Sequence, residues 1–186
     1  GAALTHSVAG AWDSSSANFT LNGGTSTIQL TGANPNITTK ASDSFYNLTV
    51  GNGGTLASAT TTVSNNLVIS SGTLSTNNEN LSVTGSVTGG GTLAALAGGA
   101  VDGITVGGDF TPTGFTAADS LVTLNTGAAA NVGGCTFNNL TINKSGAVVV
   151  VTSTAGLTVN GVLTLTRGTW NCGAALTHSV AGAWDS

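Results

Sequence analysis

Leu157–Trp170 reads LTVNGVLTLTRGTW and contains the two patterns from which the fold can be predicted. In its first four residues, apolar side chains alternate with threonine and asparagine, which is typical of a strand that buries one face. Glycine then interrupts the alternation, as it also does at Ser71-Gly72 and Asn52-Gly53, where corners need positive φ. Across the chain, 28 glycines and many β-branched residues break every window long enough for a helix. The sequence therefore predicts an all-β protein.

The second pattern is a motif, Val-x-Gly-x-apolar, that recurs along the chain. It begins at Val8, Val83, Val106, Val159 and Val180, with an asparagine variant at Val63. Three of the gaps between successive motifs are 20, 23 and 21 residues, and we interpret each as one turn of a coil. The gaps of 55 and 53 residues then correspond to three shorter turns each. This interpretation predicts nine turns of about 19 residues in 172 residues.

Short strands at this spacing fit a right-handed parallel β-solenoid (a β-helix) or, as the alternative, an antiparallel β-sandwich with a turn every 8–12 residues. We favour the solenoid because near-equal turns place like residues above one another while backbone hydrogen bonds join the turns. Only 5% of the residues are charged, which also suits a solenoid, since stacked like charges would repel at about 4.8 Å. Nine turns at that spacing give an axial repeat of about 43 Å.

The first fourteen residues recur without change at the end of the chain, since 1–14 and 173–186 both read GAALTHSVAGAWDS. We therefore expect residues 1–172 to form one solenoid repeat unit and 173–186 to begin the next. Within the unit, internal matches predict two related modules, 5–102 and 103–172, the first with about one extra turn. The expected junction between copies is marked by Gly1, Leu4, Val8, Trp12, Gly173, Leu176, Val180 and Trp184.

Composition excludes several classes of partner. The net charge is −4, and Lys40, Lys144 and Arg167 are the only lysine and arginine residues. A nucleic-acid groove and an anionic membrane surface both require clustered cations, so neither partner is expected. No apolar run approaches the roughly 20 residues of a membrane-spanning helix, so membrane insertion is not expected either. The chain has no starting methionine and no signal peptide, and we interpret it as an internal or processed piece.

The titratable residues predict no catalytic centre, so we expect a protein that is not an enzyme and needs no metal or cofactor. Asp102 and Asp109 are the closest acidic pair, and no basic residue lies within twenty positions of them. His6 and its copy His178 have no ligand or triad partner nearby in sequence. The nonapeptide calcium repeat of solenoids is absent as well.

The sequence contains candidate sites for two kinds of covalent modification, a disulfide and N-glycosylation. Cys135 and Cys172 are a candidate disulfide, although their spacing of 37 residues is close to two turns and would put equivalent positions about 10 Å apart. Free buried thiols and a bond to a neighbouring strand are the alternatives. Sequons for N-glycosylation occur at Asn18, Asn36, Asn47, Asn80, Asn139 and Asn143.

Three segments carry a resemblance to known proteins: FYNLTVGN (45–52), FNNLTINKSG (137–146) and LTVNGVLTLTRGTW (157–170). They resemble the tandem repeats of large bacterial secreted and cell-surface proteins, whose filamentous, adhesin-like stalks are β-solenoids. The resemblance covers nearly all of the chain. It implies an extracellular or cell-surface location, a structural or adhesive role and no catalysis.

We therefore expect a structural repeat unit of an extracellular filament, fibre or surface stalk, which assembles end to end with further copies of itself by strand stacking. The alternative is an adhesin or glycan-binding module, in which an aromatic stripe would face solvent. A polysaccharide-processing β-helix enzyme is the least favoured hypothesis, because the chain has too few charged residues to build its cleft.

Overall fold

The computed structural model describes residues 3–97 and 103–186, and these residues form strands, turns and loops without a helix. The strands, in chain order, are β1 (Thr5–Val8), β2 (Trp12–Asp13), β3 (Thr27–Leu30), β4 (Asn36–Thr38), β5 (Asn47–Val50), β6 (Gly54–Leu56), β7 (Thr60–Val63), β8 (Leu67–Ile69), β9 (Thr73–Ser75), β10 (Asn80–Val83), β11 (Val87–Ala94), β12 (Gly103–Val106), β13 (Phe110–Thr116), β14 (Leu121–Leu124), β15 (Ala130–Val132), β16 (Thr136–Phe137), β17 (Asn139–Asn143), β18 (Val150–Ser153), β19 (Thr158–Val159), β20 (Leu163–Arg167), β21 (Thr169–Asn171), β22 (Ser179–Val180) and β23 (Trp184–Asp185).

The strands stack into a three-sided coil. Side 1 is the ladder β1-β3-β5-β8-β11-β13-β15-β18-β21, and side 3 is the ladder β7-β10-β12-β14-β17-β20-β23. Side 2 lies between them along the chain. It contains β2, β4, β6, β9 and the second halves of β11 and β13 in the first part, and β16, β19 and β22 in the second.

The fold is thus a parallel β-solenoid of about nine coils, as the sequence predicts. Every strand pair among the described residues is parallel, and paired residues of adjacent coils lie 18 to 25 positions apart. The antiparallel sandwich that we kept as the alternative is wrong. The predicted module boundary at residue 102 falls in 98–102, outside the described residues.

The core fills the coil with one column of side chains per inward strand position. Strands of side 1 and side 3 bury alternate residues, and one such column contains Ile28, Leu48, Leu67, Val87 and Phe110 in register. The outward positions carry small polar residues instead. On side 3 one outward column consists of Thr62, Ser82, Thr105, Thr123, Thr141 and Thr164. Burial of one face of each strand explains the period-two alternation.

A ladder of polar side chains joins successive coils at the start of side 1. Each member except the last accepts a hydrogen bond from the backbone N–H of the member one coil further on, and the four bonds measure 3.2, 2.9, 3.0 and 2.7 Å. The members are Asn47, Asn66, Ser86, Asp109 and Asn131. Because each is the residue before an inward apolar side chain, the ladder keeps the coils in register at the corner where the chain enters side 1.

The Val-x-Gly-x-apolar motif does not mark the same corner each time. Val63, Val83 and Val106 end strands of side 3, whereas Val159 belongs to side 2 and Val8 to side 1. Gaps between motifs on one side are single coils, as predicted. The gaps of 55 and 53 residues join different sides, so each is one side short of three coils and the expectation of three whole turns is wrong.

Lys144 is a buried cation that ties three coils together. Its side chain is fully buried, and Nζ donates hydrogen bonds of 2.7 Å to the carbonyl oxygens of Gly107 and Asn125. Burial lowers the pKa of the Lys144 ammonium, and the negative charge of Asp109 opposes that shift. The two carbonyls belong to the corners one and two coils earlier, so one side chain satisfies groups on both.

Cys135 and Cys172 are both free thiols in the structure, so the candidate disulfide is not formed. Cys135 is buried and Cys172 is exposed. Burial raises the pKa of the Cys135 thiol from 9.0 to about 11. The arrangement matches the alternative of a free buried thiol for one of the two residues.

We expect the two thiols to differ in reactivity. At pH 8 only about 1 in 1000 Cys135 side chains is a thiolate, the reactive form, and the fold also shields it. Iodoacetamide applied to the folded chain, followed by mass spectrometry, should label Cys172 alone, and both residues in guanidinium chloride. Equal labelling of the two residues in the folded chain would contradict this burial. Since the unfolded thiol titrates near 9.0, the stability that Cys135 contributes is lost as the pH rises from about 9 to 11.

Candidate functional site

The two ends of the solenoid are the candidate functional site, because strands there pair on one edge only. At the amino-terminal end, β1 pairs with β3 alone and β2 with β4 alone among the residues that the structure describes. At the carboxyl-terminal end, β21, β22 and β23 each have one partner, on sides 1, 2 and 3 respectively. An edge of this kind presents unpaired N–H and C=O groups to another strand.

The amino-terminal end is apolar and concave. A hollow of about 290 Å³ opens there, and its lining includes His6, Trp12, Leu21 and Ile28. The Trp12 ring packs edge-on against Phe45, with the ring centroids 5.3 Å apart. Leu4 and Phe19 nearby are 56% and 45% exposed. This surface has the composition of a core layer on which no further coil is stacked.

Aromatic side chains also cover the carboxyl-terminal end. Trp170 lies 5.7 Å from Trp184 and 5.1 Å from His178 between ring centroids, and Trp184 is 56% exposed. His178 is held on both ring nitrogens: Nδ1 accepts from the N–H of Leu157 at 3.1 Å, and Nε2 lies 2.7 Å from the carbonyl oxygen of Cys172. The two contacts require the neutral tautomer with the proton on Nε2. His178 is thus a structural residue of the last coil.

The structure places the predicted junction residues at these two ends. Val8 and Trp12 are half-buried in the first coil, and Val180 is half-buried in the last. Gly173 has a φ of 76° at the turn that leads from β21 towards β22, and the half-buried Leu176 follows it. Gly1 lies outside the described residues.

The six sequon asparagines fall into two groups. The side-chain oxygens of Asn47, Asn80 and Asn139 accept hydrogen bonds from backbone N–H groups of the following coil, so these three residues belong to the framework. Asn18, Asn36 and Asn143 are exposed. Only the second group presents its amide without disturbing a bond between coils.

Residues that could bind a metal ion do not cluster within residues 3–97 and 103–186. No three side chains of His, Cys, Asp or Glu there lie close enough to hold a metal ion. His6 and Asp109 lie at different coils, His6 in β1 and Asp109 beside β13. In the part of the chain that the structure describes, we find no helix with the length and hydrophobicity to cross a bilayer.

The aromatic side chains are concentrated in the core and at the ends. Phe45, Phe110 and Phe137 are fully buried, and Phe115 packs 5.1 Å from Phe110 between ring centroids. The large exposed aromatic residues of the described chain are Phe19 and Trp184, one near each end. Aromatic surface that faces solvent therefore coincides with the open ends rather than with a side of the coil.

No protein family model, no curated protein and no solved structure matches this chain.

Proposed function

We propose that the chain is a structural repeat unit of an extracellular filament, fibre or surface stalk, in which further copies continue the solenoid head to tail. The observation that carries the proposal is that both open ends contain strands of one repeated sequence, β1 and β2 at the first end and β22 and β23 at the last. A segment that already stacks on the last coil and supports the first can join two units through strand pairings that the structure already contains.

Apolar burial supplies the free energy for this joining. Apolar side chains are exposed at each end, Leu4 and Phe19 at one and Trp184 at the other. Trp184 is in register with the core residue Leu163. Removing apolar surface from water stabilises association by about 25 cal/mol per Å², and the free strand edges gain their hydrogen bonds at the same time. The near absence of charge on the chain removes the like-charge repulsion that stacked copies would otherwise meet.

Catalysis has no place in this proposal, because the solenoid serves as a scaffold and its chemistry is strand stacking. The adhesin or glycan-binding alternative requires aromatic residues on a solvent-facing side. It is weakened because the exposed Phe19 and Trp184 lie at the ends, where a neighbouring copy would cover them. The exposed asparagines Asn18, Asn36 and Asn143 are the positions at which sugars would decorate the filament.

We test the proposal with a chain of three head-to-tail copies of the 172-residue period, viewed by electron microscopy. Eight to nine coils at about 4.8 Å give about 40 Å per copy, so we expect a straight rod of about 120 Å. Replacing Val8→Asp in the second and third copies should introduce flexible joints, because a carboxylate would enter the core column. The matched control, Ser7→Asp, lies on an exposed outward position and should leave the rod straight. Beads joined by linkers in the unsubstituted chain would overturn the proposal.

A further inference from the structure

The repeated segment occupies different sides of the coil in its two copies. In the first copy, Thr5–Val8 belongs to side 1 and Trp12–Asp13 to side 2. In the second copy, Ser179–Val180 belongs to side 2 and Trp184–Asp185 to side 3. The distance between copies is therefore eight coils plus one side, not a whole number of coils.

We infer that successive copies in a filament are rotated by one side of the coil, about a third of a turn, so that side 2 of one copy continues as side 1 of the next. This inference rests on the proposed function. A single segment at the junction would then make the strand pairs that its two copies make separately here. It would pair with β19 and β20 of the preceding copy and with β3 and β4 of its own copy. Side 3 continues as side 2, and side 1 continues as side 3.

The columns that would run through the shared segment match in chemistry. Each inward side chain of the segment would be enclosed by an apolar residue below and another above. Each column is given in the order leading copy, shared segment, next coil, with the segment numbered as in 1–14. The three columns are Leu157, His6 and Ile28; Val159, Val8 and Leu30; and Leu163, Trp12 and Ile37. The outward column between the first two, Thr158, Ser7 and Gln29, is polar throughout.

The third face of the junction matches as well. Side 1 of the leading copy ends at the half-buried Trp170. A rotation by one side brings the segment 15–26 of the next copy above it, since that segment lies between β2 and β3 where side 3 begins. This segment contains Phe19, which is exposed in the first coil, and Leu21, which is half-buried there. All three faces would therefore bury apolar surface that is open at both ends.

The molecule already contains similar sequences on different sides. FYNLTV at 45–50 forms β5 of side 1, whereas FNNLTI at 137–142 enters β17 of side 3. Both make the same bond to the next coil: Asn47 Oδ1 accepts from the N–H of Asn66 at 3.2 Å, and Asn139 Oδ1 accepts from the N–H of Val162 at 2.8 Å. The sides of the coil are thus similar enough for one motif to serve on either.

Chain length excludes the arrangement in which copies keep the same faces. That arrangement would place the repeated segment on side 1 directly above β21, with Ser179 beside Asn171. The two residues are only eight positions apart, whereas paired residues on side 1 are separated by 19 to 23 positions. The chain between them cannot complete a coil. The shift by one side follows from the length of the period.

A consequence is that no side of the filament is unique. Outward features of one copy, such as the exposed Asn36 and Asn143, reappear on the next side of the next copy. Faces return to alignment only after three copies, apart from the twist of the sheets themselves. A partner or a sugar coat would therefore meet equivalent positions all around the filament.

Disulfide trapping in a two-copy chain tests the inference, with Cys135 and Cys172 replaced by alanine in both copies. The first variant carries Thr158→Cys in the first copy and Ser7→Cys in the second, so its disulfide would link the two copies. The second variant carries Ser7→Cys and Gln29→Cys, both in the second copy. Both pairs are in register in the structure, at the strand spacing of about 4.8 Å that suits a disulfide. The control pair is Asn171→Cys in the first copy with Ser7→Cys in the second, which only a same-face junction brings together.

We expect both test pairs to oxidise to completion at least tenfold faster than the control. Fast oxidation of the control pair, or of only one test pair, in a chain that still forms a straight rod would overturn the rotation and leave the proposed filament standing. A flexible two-bead particle would instead overturn the filament itself, so the two failures are distinguishable.

Discussion

Gly107→Ala is expected to destabilise the fold by about 3 kcal/mol or more, the largest effect of any single methyl group that we predict. Gly107 is buried at the corner between side 3 and side 1. An added Cβ would overlap the backbone carbonyl of Thr84 and would lie 2.7 Å from Cγ2 of Thr126. Because the first of these is backbone, the coils themselves would have to separate. The carbonyl oxygen of Gly107 also accepts a hydrogen bond from Nζ of Lys144, and this bond would be lost if the coils separated.

Guanidinium unfolding followed by far-UV circular dichroism measures this effect. Gly133→Ala is the matched control, since it is also a corner glycine but its added Cβ would have Thr111 Cα as its nearest neighbour, at 3.5 Å. We expect the control to change the free energy of unfolding by less than about 0.5 kcal/mol. Equal midpoints for Gly107→Ala and Gly133→Ala would show that the coils are not packed as described.

Lys144→Met is the second large effect, with an expected loss of about 1–3 kcal/mol. Methionine keeps most of the side-chain volume but removes the donor, so the carbonyls of Gly107 and Asn125 lose a buried partner. The Gly107 carbonyl oxygen still accepts from Oγ1 of Thr126 at 2.9 Å, so the cost falls mainly on the Asn125 carbonyl. An unsatisfied buried group costs about 1–3 kcal/mol, and relief of the ammonium's own desolvation offsets part of that cost.

Hydrogen exchange localises the effect of Lys144→Met. Protection should fall at the corners that contain Gly107 and Asn125 and stay unchanged in the first three coils, because the hydrogen bonds of Lys144 reach only the two preceding coils. Arg167→Met is the control: this side chain is an exposed cation, and its loss should change stability by less than about 0.5 kcal/mol. A Lys144→Met variant as stable as the control would mean that the ammonium does not bridge the coils.

The architecture was predictable because its determinants are local. Alternation in segments such as Leu157–Asn160 and glycine at the corners predict strands and turns, and the recurrence of the motif predicts stacking. The assignment of motifs to sides was not predictable in this way. Val83 and Val159 begin the same five-residue pattern but belong to sides 3 and 2, because loops of different length shift the phase of the coil between them.

The polar framework was missed for a related reason. Asn66, Ser86 and Asp109 differ in residue type, and only the shared position before an apolar residue, together with the coil register, makes them one ladder. The position could have been read from the motif, since each is its fourth residue. The role of Lys144 could not be predicted from the sequence. Its acceptors are backbone carbonyls 37 and 19 positions earlier, and no pattern of side chains identifies such carbonyls.

The candidate site could be located from sequence, because identical segments at residues 1–14 and 173–186 predict a junction. Its geometry could not. Whether the two copies take the same side depends on how many residues each coil uses, and coil lengths here vary with the corner loops, from 18 residues between Gly103 and Leu121 to 25 between Trp12 and Ile37. That variation turns an expected nine whole turns per period into eight turns and one side.

Helical reconstruction by electron cryomicroscopy of a filament of many copies measures the rise and the rotation per copy together. Coils that continue through the junction predict layers about 4.8 Å apart without a gap, a rise of about 40 Å per copy, and a rotation of about a third of a turn beyond the twist of the sheets. A rise of about 43 Å with copies in the same orientation, or a gap in the layers at each 172-residue period, would contradict a continuous solenoid of this geometry.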